Sequence, residues 1–505
     1  MTPTFISRTL SQNTTANGRT NMSSENLTNI IGSQQGTEFF DEHRRRPARP
    51  ETTRTVDEAA RKTSVLAETD VLIVGGGPAG TAAAIAARRV GAEVILVERY
   101  NHLGGLSTGG LVIWIDRMTD WSGKQVICGI AHDFMDQLPS NAIQGPARGD
   151  WGSHDTETTA YWAQRSAAYH GIVTWSPTID PEAQKTLSLQ MLSEQKVDLI
   201  LHTWATEPIV EDGVMCGAIF ENKAGRHAIL AKVVVDTTGD ADLLARAGAP
   251  MEADIDRGDI HHCINTAFLL GGVDMDRWIA YRNENREGFK TLMARGRDTV
   301  GSFEKPFVGW RNDVALFMGP RLSGYSAVNA DDLTEVEIRS RQLTISHLDF
   351  YRAHAPGFEK AFLMLGAPQI GVRHSRRLVG LAKVTRAQWD EGKVWDDEIG
   401  VSTSLSPKFP NISVPYGALV PQGIDGVLGA GRHLACDASS HTFLREIPQC
   451  WLSGQAAGVA AALAVNTGVV PRQLNTRLIQ RELLRQGTYL SPSVAALAEI
   501  SSAAE

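Results

Sequence analysis

The stretch Val71-Leu72-Ile73-Val74-Gly75-Gly76-Gly77-Pro78-Ala79-Gly80 limits the fold of this chain more than any other. Residues 70–74 are apolar on both faces, which predicts a buried parallel strand. The glycines predict a tight turn, and the Ala-rich residues 81–90 predict a helix stopped by Gly91. Residues 93–98 predict a second strand, which completes a β-α-β unit. In the spacing Gly75-x-Gly77-x-x-Gly80 the first glycine permits the turn. The second lets a pyrophosphate reach the backbone, and the third lets helix and strand pack closely. Free N–H groups and the positive end of the helix favour phosphate charge. Glu98, at the tip of the second strand, suits a ribose 2′-hydroxyl and disfavours the 2′-phosphate of NADP. The pattern therefore predicts a bound dinucleotide.

The remaining chain predicts how that unit is completed. Residues 181–195 read as a helix capped by Asp180 and opened by Pro181, and residues 197–202 as a strand. Hairpin turns are expected at Glu211-Asp212-Gly213 and at Asn222-Lys223-Ala224-Gly225. Residues 231–236 read as another buried strand, running into Thr237-Thr238-Gly239-Asp240. Strand-plus-glycine character returns at Val427-Leu428-Gly429-Ala430-Gly431-Arg432, followed by a helix opening near Pro448. Between them, residues 255–410 carry long polar-apolar helices and many Trp and Arg.

The expected fold class is α/β: a Rossmann-like dinucleotide-binding domain (a parallel sheet with helices and a small β-hairpin region) plus an inserted α+β substrate domain. The expected boundaries are a disordered tail over residues 1–66, the dinucleotide-binding domain over 67–254 and a substrate or cap domain over 255–410. The dinucleotide-binding domain closes over 411–470, and a helical C-terminal tail covers 471–505.

Composition narrows the function classes. The net charge of −8 argues against nucleic acid or an anionic membrane as partner. Five cysteines with no C-x-x-C predict neither a disulfide framework nor a zinc cluster nor a dithiol pair. The absence of a long apolar run predicts no membrane-spanning helix. The first 24 residues carry Arg8 and Arg19, many Ser and Thr, and no acid. They read as a disordered tail of a cytoplasmic protein, with an organelle transit peptide as the alternative. The basic run Arg44-Arg45-Arg46-Pro47-Ala48-Arg49 reads as solvated tail. No metal site is expected. His261 and His262 are adjacent on an expected strand and so face opposite ways.

NAD and FAD share the ADP half, so the fingerprint alone does not separate them. The glycine pairs of Gly104-Gly105-Leu106-Ser107-Thr108-Gly109-Gly110 follow the ribose strand, and further cofactor-like segments lie far downstream. A cofactor spread over distant segments points to FAD.

Together these segments resemble the FAD-dependent oxidoreductase family and its wider relatives, such as fumarate reductase flavoprotein subunits. The matching pieces are Gly75 to Gly80 with Glu98, the 104–110 glycines, Asp236-x-Thr238-Gly239-Asp240-Ala241-Asp242, Gly371-Val372-Arg373-His374-Ser375-Arg376-Arg377, Gly429 to Arg432, Arg445-x-x-Pro448-x-Cys450 and Gly454 to Gly458. The resemblance implies that Gly75, Gly77, Pro78, Ala79 and Gly80 hold the pyrophosphate, and Glu98 with Arg99 the adenosine ribose. It places Gly104, Gly105 and Leu106 near the phosphates and ribityl chain, and Thr238, Gly239 and Asp240 near the adenosine. It places Gly431 and Arg432 on the ribityl side. Gln455, Ala456 and Ala457 would stand at a helix N-terminus facing the flavin pyrimidine edge. Tight helix packing through small residues is the other reading of that last segment.

Where the family motif carries Glu, this chain has His374. It reads as a plain structural substitution, as a substrate-facing acid/base, or as a covalent attachment point for the flavin. Arg373 lies beside it. Arg445 and His441 precede the flavin-facing helix and are candidates to orient a substrate anion. Cys450 reads as a small buried residue near the cofactor or as a reactive thiol.

The expected activity is hydride transfer from a small organic substrate to flavin N5, with reoxidation by oxygen or another acceptor. Trp278 and Trp310 suggest a hydroxylated or cyclic substrate, unless they are core. A monooxygenase or reductase using transient NAD(P)H is the alternative, and a non-catalytic flavin-carrying or RNA-modification partner protein is a third reading. A homo-oligomer is left open.

Overall fold

The computed structural model describes residues 39–40, 53–252 and 263–500. The central strand β1, Ser64–Val74, ends in Val71–Val74, which is buried on both faces. Helix α1, Pro78–Val90, follows it, with Gly91 at φ +101 as its left-handed cap. Strand β2, Val94–Val97, lies parallel to β1. Helix α2, Pro181–Glu194, is capped by the Asp180 carboxylate, which accepts from the N–H groups of Glu182 and Ala183. It leads into β3, Asp198–Ile200, on the outer side of β2.

Strands β4 (Trp204–Glu211), β5 (Val214–Asn222) and β6 (Gly225–Asp236) form an antiparallel meander. Its first turn, Asp212-Gly213, has both residues at positive φ, as a two-residue hairpin requires. β6, twelve residues long, runs through the middle of one seven-stranded sheet. One edge pairs in parallel with β1 from His227 to Asp236. The other edge pairs antiparallel with β5 over Gly225–Leu230 and then in parallel with β7, Val427–Gly429, over Val234–Asp236. The sheet order is thus β3-β2-β1-β6-β5-β4, with β7 also paired to β6. This is the expected Rossmann-like arrangement with its hairpin region.

Helix α3, Ile447–Thr467, lies directly on α1. A methyl added at Gly454 would stand 2.1 Å from the Ala79 carbonyl oxygen, and one at Gly458 would stand 2.1 Å from that of Ala83. The two backbones touch through matched small residues. The helices over Thr476–Arg485 and Pro492–Ile500 close this side. Gln486 donates to the Ala86 carbonyl and accepts from Gln455, so the first of these helices is anchored to the domain rather than hanging from it as a tail.

A second core gathers Phe268, Trp278, Phe303, Phe317, Tyr351 and Phe358 between two four-stranded sheets and the helix Ala330–His354. Trp278 is buried in this core, and Trp310 is buried too, so neither serves as an exposed substrate platform.

Two expectations need correction. The second core ends at Val372, well short of residue 410. The strands Glu398–Ser402 and Ile412–Pro415 carry buried Ile399, Val401, Ile412 and Val414, and Gly400 backs onto Leu452 of α3. Nor are residues 1–66 all irregular: Phe39–Phe40 pairs in parallel with Leu322–Ser323, and β1 begins at Ser64. The transit-like residues 1–24, the basic run 44–49 and His261-His262 lie outside the described residues. No helix among the described residues is long and apolar enough to cross a membrane.

The α1–α3 contact yields a test. Helix propensity alone would reward Gly458→Ala by about 1 kcal/mol, but the overlap with the Ala83 carbonyl outweighs that gain. The variant should lose about 1–3 kcal/mol of stability, read as a lower urea midpoint at unchanged slope.

Candidate cofactor cleft and active site

Three strand ends meet at one point. Asp236 stands opposite Val74 on one side and Gly429 on the other. Just beyond, Thr237 donates its N–H to the Val74 carbonyl at 2.9 Å and its hydroxyl to the Gly75 carbonyl at 2.7 Å. Ala430 donates to the Asp236 carbonyl at 3.1 Å. A cleft of about 490 Å³ opens outside these carboxyl ends, where open α/β sheets bind their ligands.

The glycines divide by role. Gly75, at φ +102, presses on Thr237, and a methyl on Gly80 would overlap the Gly75 carbonyl oxygen. Those two close the turn. Gly77 faces the cleft, and a methyl there would meet only the Gly105 Cα, at 3.9 Å. Gly104 braces from behind by donating to the Gly76 carbonyl. Among the residues read as cofactor-binding, Gly75, Gly77, Pro78, Ala79, Glu98, Arg99, Gly105, Leu106, Thr238, Gly239, Asp240, Gly431 and Arg432 line this one cleft.

Glu98 is buried. One of its oxygens accepts from the Gly76 N–H at 2.6 Å and the other from the Tyr100 N–H at 2.8 Å. Its carboxylate therefore holds the glycine turn and keeps lone pairs for a hydroxyl. Arg99 lies over both the Tyr100 and Trp204 rings, 4.9 Å from each centroid.

At the opposite wall Asp240 joins three segments distant in sequence. Its carboxylate accepts from Ser375 Oγ at 2.5 Å and from the Arg432 guanidinium at 2.6 Å, and its carbonyl accepts from Arg376. Burial alone would raise its pKa, but Arg432 and the Ser375 hydroxyl outweigh that and hold it below the ordinary 3.8. Fully buried Asp236 accepts from the N–H groups of Thr238, Leu243 and Leu244, which fixes the loop that carries Asp240.

Four residues read as catalytic separate here. Arg445 lines the cleft just before α3 and pairs with Glu446 at 3.1 Å. Arg373, His374 and His441 do not line it. The His374 and His441 rings meet edge-on, 4.7 Å apart. Burial, then His374 and Arg445, pushes His441 well below its usual range, so it stays neutral, and its Nε2–H donates to the Arg432 carbonyl at 3.0 Å. His374 Nε2 accepts from Arg377 at 3.4 Å. Both rings stand behind Arg432, as part of the wall's support.

Gln455, Ala456 and Ala457 are a correction. They lie more than two turns inside α3, buried, with Gln455 accepting from the Ile130 N–H. The end of α3 that reaches the cleft is its first turn, with Ile447 and Cys450. Burial pushes the Cys450 thiol up to about 12, so it remains a protonated small residue.

Sequence reasoning missed Thr237, Asp236 as an organiser, Trp204, Arg376 and Gln369. Asp236, Thr237 and Arg376 stood inside segments already singled out, and Trp204 just after an expected strand was a further signal.

The residues present fit FAD. The N-terminal turns of α1 and α3 both reach the cleft, Gly77 leaves backbone open to a phosphate, and five arginines stand against three carboxylates on the walls. The net positive charge suits a pyrophosphate. Two tests follow. Gly77→Val should fold with an unchanged melting point yet weaken FAD binding more than tenfold, whereas Gly80→Ala should lose stability first, by isothermal titration and thermal melts of the apoprotein. Asp240→Asn should cost about 3 kcal/mol at neutral pH. Because the pKa of Asp240 is depressed on folding, its contribution is present above the ordinary carboxylate range and disappears as pH falls through the folded value. The stability gap between wild type and variant should therefore close below about pH 4, measured by urea titration.

Residues 70–483 match the family model described as FAD dependent oxidoreductase. Digeranylgeranylglycerophospholipid reductase 1 of Methanococcoides burtonii is 24% identical over 220 residues, 42% of this chain and 47% of that protein. The Methanosphaerula palustris reductase of the same name is 24% identical over 237 residues, 46% of this chain and 54% of that one. The chain thus spans about half the length of the curated relatives it matches. Among solved structures, a geranylgeranyl bacteriochlorophyll reductase-like protein from Thermoplasma acidophilum aligns at TM-score 0.45 and 14% identity, covering 86% of this chain and 91% of that one. With the family model spanning residues 70–483, most of the chain, the protein is a member of the FAD-dependent oxidoreductase family.

Proposed function

We propose that this enzyme moves a hydride between FAD and an apolar organic substrate bearing an oxygen function, with oxygen or another acceptor completing the cycle. The observation that carries this reading is the second-lobe wall of the cleft. Ala327, Val328, Leu333, Ile370 and Val372 make one side aliphatic, and Arg445 stands at its edge. Bound FAD supplies the two-electron chemistry. The protein's part is to exclude water with that aliphatic wall and to hold the substrate at a fixed distance. Arg445, kept in place by Glu446 beside the N-terminus of α3, stabilises negative charge that develops on the substrate oxygen.

A second reading runs the same chemistry toward reduction, with electrons from transiently bound NAD(P)H. The names of the matching relatives, digeranylgeranylglycerophospholipid reductases, favour it. An aliphatic wall suits a prenyl-type chain as well as it suits a small apolar alcohol.

An anaerobic titration of the flavin absorbance separates the two. Bleaching by an organic alcohol without nicotinamide supports the first reading, and bleaching by NAD(P)H alone supports the second. Arg445→Met should slow substrate-linked flavin turnover about 10²–10³-fold, the range for one lost charge-stabilising donor. The FAD content of the purified variant should be unchanged. An unchanged rate would remove Arg445 from the reaction.

A further inference from the structure

Trp204 opens β4 and lines the cleft, yet it is 51% exposed and belongs to no core. A large apolar ring left open in a concave site points to a ligand. The strands behind it fix its position. The Thr203 N–H donates to the Glu98 carbonyl at 3.1 Å, and the His202 N–H donates to the Tyr100 carbonyl at 3.2 Å. Thr203 Oγ1 also accepts from Asn222 Nδ2 at 3.2 Å. The segment that carries Trp204 is thereby clipped to the tip of β2 on both sides of Arg99.

The clip sets one flat cation against two rings. The Arg99 guanidinium lies 4.9 Å from the Trp204 centroid and 4.9 Å from the Tyr100 centroid. Cation–π attraction steadies all three side chains, and all three residues line the cleft. They also continue a wall already described. Glu98, which accepts from the Gly76 N–H at 2.6 Å, is the residue before Arg99. Glycine turn, acid and ring stack therefore follow one another along the same side of the cleft.

We propose that Trp204, steadied by Arg99, is the stacking platform for the adenine of FAD and supplies much of the cleft's hold on the cofactor. The order of groups along the wall is the order within the ADP half of the cofactor. Gly77 leaves backbone open to a pyrophosphate, Glu98 keeps lone pairs for a ribose hydroxyl, and the base is the group that comes next. A purine offers a flat π-face, and an indole is the largest side-chain ring to meet it. The platform concerns how the cofactor is held and not which way electrons flow, so it stands or falls separately from the proposed reaction.

The test titrates the apoprotein calorimetrically with FAD, ADP and FMN. Trp204→Leu keeps an apolar side chain and removes the ring, and Trp204→Phe keeps a ring. In Trp204→Leu the Kd for FAD and the Kd for ADP should rise together, about 5- to 100-fold, the range for one lost base–aromatic stack. FMN, which has no adenine, should bind variant and wild type alike. Trp204→Phe should recover most of the loss. The apoprotein melting point should stay where it is, because Trp204 supports no core. ADP should also quench a part of the wild-type tryptophan emission that Trp204→Phe lacks. Equal affinities of wild type and Trp204→Leu for FAD and ADP overturn the proposal. A loss for FMN as large as that for FAD overturns it too, because the indole would then be stacking on the flavin ring. If Trp204→Leu does not fold, the emission decides: an ADP quench of equal size in wild type and Trp204→Phe sinks the platform.

Discussion

The backbone contact between α1 and α3 is the constraint from which the site follows. Ala79 and Ala83 on one helix meet Gly454 and Gly458 on the other with no room for a side chain between them. Small residues four apart place one contact per turn, so the helices lie against each other over several turns. Each helix reaches the cleft with its first turn, Pro78 and Ala79 from α1, Ile447 and Cys450 from α3. Two positive helix ends thereby share one cleft although the helices are more than 350 residues apart in the chain. A wider spacing would separate them and leave the strand end of β7 without support.

The sheet supplies the second requirement. Because β6 is long, one edge carries the parallel strand β1 while the other carries first the meander and then β7. Its last residue, Asp236, is fully buried, and spends its carboxylate on backbone N–H groups of the next loop. That loop delivers Asp240 to Arg432 from the closing segment and to Ser375 from the second lobe. A buried charged hub of this kind is costly to form and costlier to break. It makes the position of the second lobe over the cleft a property of the cofactor site itself.

Much of this was legible because it is local. The turn at Gly75 to Gly80, the Asp-Gly hairpin and the Asp180 cap each rest on the conformational needs of a few neighbouring residues. The start of α3 was also legible, from Pro448. Taking its glycine-rich middle for the end that faces the cofactor was the error, since glycines that admit another backbone and glycines that admit a ligand look alike in sequence. His374 drew attention as a departure from its family motif, yet its neighbours, His441 and Arg377, lie where only the fold brings them. The end of the second lobe was misjudged because Glu398–Ser402 is no different in composition from a strand of that lobe. What it packs against decided its place.

The sequence by itself determined the β-α-β unit, the dinucleotide loop and the family, since each is written in short segments whose geometry needs no distant partner. The tertiary structure decided which side chains face the cleft. It brought Arg445 to the aliphatic wall and turned His374 and His441 behind Arg432. Those outcomes depend on how strands β1, β6 and β7 align at their ends and on how closely α1 and α3 approach. Both are long-range packing results that no local pattern encodes.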